Sequence, residues 1–351
     1  IMGEKVFMQG NEAFAEAAIR SGCKYFFGYP ITPSSEVPEY YAKKAPSEGL
    51  TFVQAETEVS AFNMVAGVAA TGKRGMTATA GPGFSLGCEA MSYMSAASLP
   101  SVIVDCMRPG PADGEILGSQ GDYNQLTKGG GHGDYNTIVL APYSVQEYAD
   151  FAPLSFELAE KYRNPVVVAS DGTIAKMMEN VELPEKIEVN KRWDWAVDGI
   201  NGRGYHNDIT TCGDGPDQWE KFNLDLQAKF AKIRENEQRW EEIETEDADI
   251  IIVSFGTTAR VCLDAIKLAR ADGIKVGMIR PITIWPFPEK AFANYINKGK
   301  KFFVVELNAG QMVNDVKLVV NDNASVEFYG RLGGQIPTPV EIYNKICELY
   351  K

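Results

Sequence analysis

The chain has 351 residues, enough for about two domains, and its 45% hydrophobic and 23% charged residues are typical of a globular protein with a sizeable core. Its 47 acidic and 34 basic residues give a net charge of −13, which argues against partners such as nucleic acid or an anionic membrane surface. No apolar run is long enough to span a membrane, and the first residues do not resemble a secretion signal, so we expect a cytoplasmic protein.

The cysteines and histidines give no pattern of metal ligands. None of the six cysteines forms a Cys-x-x-Cys pair, which predicts reduced thiols and argues against an iron–sulfur cluster bound by this chain. The two histidines, His132 and His206, are too few for a histidine-rich metal site. If the protein takes part in redox chemistry, we expect the metal to lie on a partner.

The first 182 residues alternate between helical and strand patterns, which predicts an α/β domain with a doubly wound, mostly parallel sheet. In such sheets, ligands bind beyond the carboxyl ends of the strands. In chain order, the predicted elements are a helix over 12–22, a strand over 23–30, a helix over 34–45, a strand over 51–55, a helix over 56–72, a strand from 76 that ends in a glycine turn, a helix over 84–99, a strand over 101–107, a strand over 137–141, a helix over 145–162 and a strand over 165–170.

The rest of the chain divides into a connecting segment and a second domain. Residues 183–246 are rich in turn-forming residues, and a long charged helix is predicted over 218–244. Over 247–351 the alternation resumes and predicts a smaller α/β domain. Its predicted elements are a strand over 248–256, a helix over 257–271, strands over 274–280 and 300–306, a helix from about 311, a strand over 324–330 and a helix after Pro339.

The sequence GFSLG at 83–87 matches the G-x-S-x-G nucleophile elbow, in which a serine follows a strand at a strained turn. A serine hydrolase that uses Ser85 is therefore one alternative function. However, Pro82 and Gly83 already interrupt the strand, so we expect Ser85 to lie inside the first turn of a helix.

Two glycine-rich motifs are interpreted as a turn and a mobile loop. Gly213-Asp214-Gly215 followed by Asn236 is similar to the motif that holds magnesium and diphosphate in thiamine enzymes, but no apolar strand precedes it. We therefore interpret it as the turn before the charged helix. The run GGGHGD at 129–134 does not follow a strand and is not a dinucleotide fingerprint.

Two segments at predicted strand ends carry candidate functional residues. In YPITPSSE, at 29–36, Thr32 could cap the following helix with Pro33 at its first position. In QAETE, at 54–58, Glu56 and Glu58 begin a helix whose N-terminus favours a carboxylate. The apolar helix that follows would carry Glu58 inward, and a partly desolvated carboxylate on the ligand side of the sheet is a candidate functional group.

Five segments together indicate a family. They are YPITPSSE at 29–36, QAETE at 54–58, the apolar strand that ends in Arg108, RPITIWPFP at 280–288 and ELNAGQM at 306–312. With these segments in this order, the chain resembles the alpha subunit of 2-oxoacid:ferredoxin oxidoreductases over essentially its whole length. KGGGHGDYN at 128–136 and KYRNPVVV at 161–168 make it most similar to the 2-ketoisovalerate (branched-chain) type, with the 2-oxoglutarate type as the near alternative.

The resemblance implies a subunit of a thiamine diphosphate enzyme. Residues 1–182 would be the pyrimidine-binding domain, and 247–351 would resemble the transketolase C-terminal domain. A beta subunit would supply the diphosphate and magnesium site, and iron–sulfur clusters would lie on beta and on a ferredoxin-like delta subunit, with gamma as a further partner. The complex would convert a 2-oxoacid and coenzyme A to acyl-coenzyme A and reduce ferredoxin.

The resemblance also implies roles for individual residues. The glutamate that activates thiamine corresponds to Glu58, with Glu56 as the second choice. The threonine that contacts the substrate corresponds to Thr32, and the arginine that binds the substrate carboxylate corresponds to Arg108. Tyr29, Pro30, Ile31 and Phe84 are implied to contact the cofactor. A subunit of this family that no longer catalyses a reaction is the third alternative.

Two further expectations concern the surroundings of this site. The surface around Thr32, Glu58 and Phe84 should be apolar and form a subunit interface, because a pyrimidine-binding domain alone leaves its cofactor cleft open. The loop from Met107 to Asn136 should be mobile in the free subunit, since it is long, rich in glycine and proline, and follows a central strand.

Overall fold

The computed structural model describes residues 5–350. The helices and strands, in chain order, are β1 (Lys5–Gln9), α1 (Gly10–Arg20), β2 (Tyr25–Gly28), α2 (Glu36–Glu48), β3 (Thr51–Gln54), α3 (Glu58–Ala70), β4 (Gly75–Thr79), α4 (Gly81–Ala96), β5 (Ser101–Met107), α5 (Tyr123–Thr127), β6 (Ile138–Leu140), α6 (Val145–Tyr162), β7 (Pro165–Asp171), α7 (Gly172–Lys176), β8 (Met178–Glu182), α8 (Pro216–Asn236), β9 (Trp240–Ile243), β10 (Ile250–Val253), α9 (Gly256–Ala271), β11 (Val276–Pro281), β12 (Thr283–Trp285), β13 (Lys301–Glu306), α10 (Met312–Val320), β14 (Val326–Gly330) and α11 (Pro339–Tyr350).

The larger sheet has seven strands in the order β12-β6-β7-β5-β4-β2-β3, and all of its strand pairs except β12–β6 are parallel. Strands β4, β5 and β7 are buried along their whole length, as expected for a parallel sheet covered by helices on both faces. The predicted doubly wound, mostly parallel sheet is therefore confirmed. Its central strands bring the ends of β2, β4 and β5 to one edge.

The smaller sheet has five strands in the order β14-β13-β10-β11-β9. Its first four strands are parallel, which confirms the second α/β domain. The long helix predicted over 218–244 was wrong at its C-terminal end, because α8 ends at Asn236 and residues 240–243 form β9, antiparallel to β11. Backbone pairing with the open edge of β11 outweighs the helix propensity of the glutamates in this segment.

Three short strands, β1, β8 and β12, were not predicted from the sequence. β1 pairs with β8, and β12, only three residues long, pairs with β6 although it belongs to the second half of the chain. These strands are too short to show a clear hydrophobic repeat, and each pairs with a segment that is remote in the sequence. Through β12, the C-terminal half of the chain completes the sheet of the N-terminal half.

Polar contacts fix the two halves of the chain to each other. Asp171, at the end of β7, accepts hydrogen bonds from the backbone N–H and hydroxyl of Thr257 at the start of α9, at 2.9 and 2.7 Å. Arg280 on β11 donates two hydrogen bonds to Glu147 on α6, at 2.9 and 3.0 Å, and a third to Glu241 on β9. The Arg280 side chain is only 3% exposed and Glu147 is 16% exposed, so this ion pair lies largely inside the protein, whereas Glu241 is at the surface.

The Arg280–Glu147 pair should be important for stability. In Arg280→Met, Glu147 remains buried without its counter-ion, so we expect the free energy of unfolding to fall by about 3–5 kcal/mol. Chemical denaturation measures this loss. Lys267→Met is the matched control, since it removes an exposed ion pair with Asp264 and should change stability by less than about 1 kcal/mol. Similar small losses in both variants would contradict a structural role for the buried pair.

Candidate functional site

The candidate site lies where four segments meet beyond the carboxyl ends of β2 to β5. They are the turn after β2, the start of α3, the start of α4 and the loop after β5. All four follow parallel strands of one sheet, so their first residues lie at one edge of that sheet. This edge brings together most of the residues that the sequence analysis selected.

Glu58 and Glu56 have different surroundings. Glu58 is the first residue of α3 and is 6% exposed, and its carboxylate has no hydrogen bond or ion pair with any of residues 5–350. Thr57 caps the helix by accepting a hydrogen bond from the Ser60 N–H. Glu56 is exposed and accepts a hydrogen bond from the Ser60 hydroxyl, which holds the pKa of Glu56 below its ordinary value. Glu58 is therefore the buried, unpartnered carboxylate of the two.

The first turn of α4 packs directly against Glu58. A Cβ atom on Gly83 would lie 2.6 Å from Glu58 Oε1 and still closer to the Thr79 hydroxyl, so only glycine fits at this position. The neighbouring Phe84 is 2% exposed, and its ring packs edge-to-face on Phe62 at 6.1 Å. Phe84 is thus part of the core beneath the start of α4. Its contact with a cofactor remains a prediction.

Arg108 and Thr32 are brought together. Arg108 Nη1 donates a hydrogen bond to the Thr32 carbonyl oxygen at 2.9 Å. Thr32 does not cap α2, as the sequence suggested, because residues 31–34 form a turn and the helix begins only at Glu36. The residues before Thr32, Tyr29 and Pro30, are exposed, and Ile31 is half-buried. Their roles as cofactor contacts remain predictions.

A cleft of about 840 Å³ lies between the two halves of the chain, and Arg108 is the one predicted catalytic or cofactor-binding residue that lines it. One wall is formed by the start of α4, Arg108 and the loop that follows it. The other wall is formed by residues 307–311 and 332–333 of the second half. The cleft therefore exists only because both halves contribute to it.

The segment 306–312 holds the far end of the loop after β5. Asn308 Nδ2 donates to the Gln120 carbonyl oxygen at 2.8 Å, and Gln311 Nε2 donates to the Gly121 carbonyl oxygen at 2.8 Å. Residues 118–120 are buried, whereas residues 110–117 are exposed. The expected mobility of the whole loop thus remains a prediction, and its best candidates are the exposed residues 110–117. Asn308 and Gln311 could not be selected from the sequence, because their partners are almost 190 residues away.

Apolar side chains surround the cleft and the start of α3. They include Tyr29, Val59, Leu86, Leu117 and Leu332, which are 40% to 60% exposed. We call these five residues the apolar rim. They are the kind of surface expected at a subunit interface.

The geometry of Ser85 does not favour a hydrolase. Ser85 lies inside α4, as expected, and its hydroxyl lies 2.8 Å from Gln125 Oε1 and 3.1 Å from the Gly81 carbonyl oxygen. His132 is exposed, and it contacts α4 only through its carbonyl oxygen, which accepts a hydrogen bond from Ser92. A nucleophile activated by histidine is therefore not assembled here.

Two further kinds of feature, a metal site and a membrane-spanning helix, are not found in residues 5–350. Within residues 5–350, no group of three or more histidine, cysteine or acidic residues could hold a metal ion. No helix in this part of the chain is long and apolar enough to cross a membrane. Gly213–Gly215 forms the exposed turn before α8, as the sequence predicted.

Comparison with protein families gives two matches. Residues 16–198 match the family of pyruvate flavodoxin/ferredoxin oxidoreductases, in its thiamine diphosphate-binding domain. Residues 248–342 match core domain II of pyruvate:ferredoxin oxidoreductase. The second match covers the four parallel strands of the smaller sheet and the wall of the cleft that this half contributes, but not β9.

Similar proteins agree with these matches. The ketoisovalerate oxidoreductase subunit VorB of Methanothermobacter marburgensis is 46% identical over 97% of both chains. The 2-oxoglutarate synthase subunit KorA of the same organism is 40% identical over 98% of this chain and 99% of that one. The solved structure of 2-oxoglutarate:ferredoxin oxidoreductase from Magnetococcus marinus, with 2-oxoglutarate, coenzyme A and succinyl-CoA bound, has a TM-score of 0.90 at 28% identity.

The match to this structure covers 99% of the present chain but only 66% of the other, so the present chain spans about two thirds of its length. The family resemblance found in the sequence is therefore confirmed by relatives that match almost the whole chain. The protein belongs to the 2-oxoacid:ferredoxin oxidoreductase family.

Proposed function

We propose that this chain is the alpha subunit of a cytoplasmic 2-oxoacid:ferredoxin oxidoreductase and supplies the pyrimidine-binding half of a thiamine diphosphate site. The complex oxidatively decarboxylates a branched-chain 2-oxoacid to acyl-coenzyme A and reduces ferredoxin. The observation that carries this proposal is Glu58, a buried carboxylate without a partner at the ligand edge of the sheet.

The surroundings of Glu58 fit an aminopyrimidine. The Glu58 side chain is mostly buried, but its carboxylate oxygens are not among the fully buried atoms without a partner, so they face open space in which a ligand could bind them. Gly83 keeps the space beside the carboxylate free of a side chain. Bound thiamine diphosphate would supply the electron sink for decarboxylation. Glu58 would hold or release a proton at N1′ of its pyrimidine.

Arg108 and Thr32 are placed to bind the substrate. The Arg108 guanidinium lines the cleft, and one of its nitrogens is fixed by the Thr32 carbonyl oxygen. Its other nitrogens can pair with the carboxylate of a 2-oxoacid, since guanidinium and carboxylate groups match in geometry. The Thr32 hydroxyl would provide a second polar contact. These two residues would orient the substrate, and Glu58 would act on the cofactor.

The remaining parts of the enzyme are assigned to partner subunits. A beta subunit would supply the diphosphate and magnesium site and would cover the apolar rim of Tyr29, Val59, Leu86, Leu117 and Leu332. Iron–sulfur clusters would lie on beta and on a ferredoxin-like delta subunit, and a gamma subunit would complete the complex. Coenzyme A would enter as co-substrate, and the solved relative binds coenzyme A.

The substrate assignment rests on similarity. The ketoisovalerate subunit is 46% identical to this chain, and the 2-oxoglutarate subunit is 40% identical. We therefore assign the branched-chain 2-oxoacid 3-methyl-2-oxobutanoate as substrate, with 2-oxoglutarate as the alternative. The two differ in that 2-oxoglutarate carries a second carboxylate, which needs a second cationic or hydrogen-bonding partner.

The role of Glu58 can be tested by proton exchange. Glu58→Gln keeps the volume of the side chain but cannot exchange a proton with N1′, so exchange of the thiamine C2 proton in the assembled complex should slow by about 10²–10⁴-fold. Nuclear magnetic resonance of the bound cofactor measures this exchange. Glu56→Gln is the matched control and should leave the rate nearly unchanged, because Glu56 is exposed. Equal losses in both variants, or a loss in Glu56→Gln alone, would contradict the assignment.

The substrate can be tested on the native complex. We expect reduction of a redox dye to be fastest, at limiting substrate, with 3-methyl-2-oxobutanoate and coenzyme A. Pyruvate and 2-oxoglutarate should give clearly lower kcat/KM values. A preference for 2-oxoglutarate would overturn the branched-chain assignment but leave the role of Glu58 intact.

A further inference from the structure

The segment ELNAGQM at 306–312 is one of the five segments that indicate the family, but the proposed function gives it no role. It leads from the end of β13 to the start of α10. Leu307, Asn308, Ala309 and Gln311 line the cleft on the side of the second half. The groups that hold this segment in place therefore also determine the shape of the cleft.

The segment is organised around the carboxylate of Glu306. This side chain is fully buried and accepts hydrogen bonds from the backbone N–H groups of Met312 and Val313, at 2.8 and 3.0 Å. It also accepts a hydrogen bond from Asn308 Nδ2 at 2.9 Å. One carboxylate thus fixes both the start of α10 and the side chain of Asn308.

This carboxylate is buried at an energetic cost. Glu306 makes no ion pair with any of residues 5–350, and burial raises its pKa above the ordinary value, although the hydrogen bonds that it accepts oppose this shift. The start of a helix can be capped by a neutral hydroxyl, as Thr57 caps α3 and Ser144 caps α6. A buried carboxylate that precedes the loop 307–311 fixes this loop in addition to the helix.

The loop held by Glu306 is hydrogen-bonded to the first half of the chain. The same Asn308 Nδ2 that donates to Glu306 also donates to the Gln120 carbonyl oxygen at 2.8 Å. The Leu307 carbonyl oxygen accepts hydrogen bonds from the Gln120 N–H and the Ser119 hydroxyl, both at 3.1 Å. The Leu307 N–H donates to Gln120 Oε1 at 2.9 Å. These contacts join the two walls of the cleft.

The contacts extend to the backbone beside Arg108. The Ser119 N–H donates to the Met107 carbonyl oxygen at 3.3 Å, so the residue that is bound to Leu307 is also bound to the residue before Arg108. The Arg108 side chain lines the cleft opposite Leu307 and its neighbours. Hydrogen bonds between adjacent residues thus lead from Glu306 to the backbone that carries Arg108.

We propose that Glu306 is a positioning residue for the 2-oxoacid, because it fixes the cleft wall 307–311 and, through Ser119, the backbone beside Arg108. This inference rests on the proposed function, in which Arg108 binds the substrate carboxylate. Glu306 itself does not touch the substrate and acts through Asn308 and Leu307. Glu58 makes none of these contacts, so the proton step at the cofactor should not depend on Glu306.

Steady-state kinetics of the assembled complex test this role. Glu306→Gln keeps the volume of the side chain, but its amide nitrogen cannot accept a hydrogen bond, so at least one N–H group loses its acceptor. We expect the KM for the preferred 2-oxoacid to rise by about tenfold, with a much smaller change in kcat. Glu327→Gln, which changes an exposed glutamate of the same domain, is the matched control and should leave both constants unchanged.

Asn308→Ala gives an independent test. It removes the contact with Gln120 but leaves the Glu306 carboxylate on the start of α10. If Glu306 acts through Asn308, this variant should also raise the KM, and the double variant should raise it by less than the product of the two single effects. If Glu306 only caps α10, Glu306→Gln should lower the melting temperature and Asn308→Ala should leave the KM unchanged, which would overturn the inference.

Two further measurements separate the possible failures. Exchange of the thiamine C2 proton, measured without substrate, should be unchanged in Glu306→Gln, and a loss as large as the rise in KM would mean general disruption and overturn the inference. An unchanged KM in Glu306→Gln and Asn308→Ala, with a raised KM in Arg108→Gln, would overturn the positioning role alone. An unchanged KM in Arg108→Gln would overturn the proposed binding of substrate by Arg108, and this inference with it.

Discussion

The site depends on the close approach of the Gly83 backbone to Glu58. A side chain at position 83 would collide with Glu58 and Thr79, so the first turn of α4 can reach the end of β4 only because this residue is glycine. One contact thus fixes Glu58 against the first turn of α4 and keeps a side chain away from its carboxylate.

The second requirement is that the two halves of the chain stay in contact. Strand β12 extends the larger sheet, and Arg280 and Asp171 join elements of both halves through buried polar contacts. Asn308 and Gln311 then hold the loop that follows Arg108. The cleft is therefore a product of domain packing, and the N-terminal half by itself would provide only one wall of it.

Much of this structure could be predicted from the sequence. The apolar strands and amphipathic helices predicted the parallel sheet, because burial on both faces leaves a clear hydrophobic run. Pairing with remote segments determines strands β1, β8, β9 and β12 and the end of α8, so none of these could be predicted. At the site, the position of Glu58 before an apolar helix predicted its burial. Asn308 and Gln311 gave no such signal, because their contacts are with loop residues that are remote in the sequence.

In the proposed function this chain supplies half of a cofactor site, with Glu58 at the pyrimidine and the diphosphate and magnesium site on the beta subunit. The most direct measurement is calorimetric titration of thiamine diphosphate and magnesium into this chain alone and into the chain co-purified with its beta subunit. We expect no saturable micromolar binding to the chain alone and tight binding to the complex. Micromolar binding to the isolated chain would contradict the division of the site between subunits.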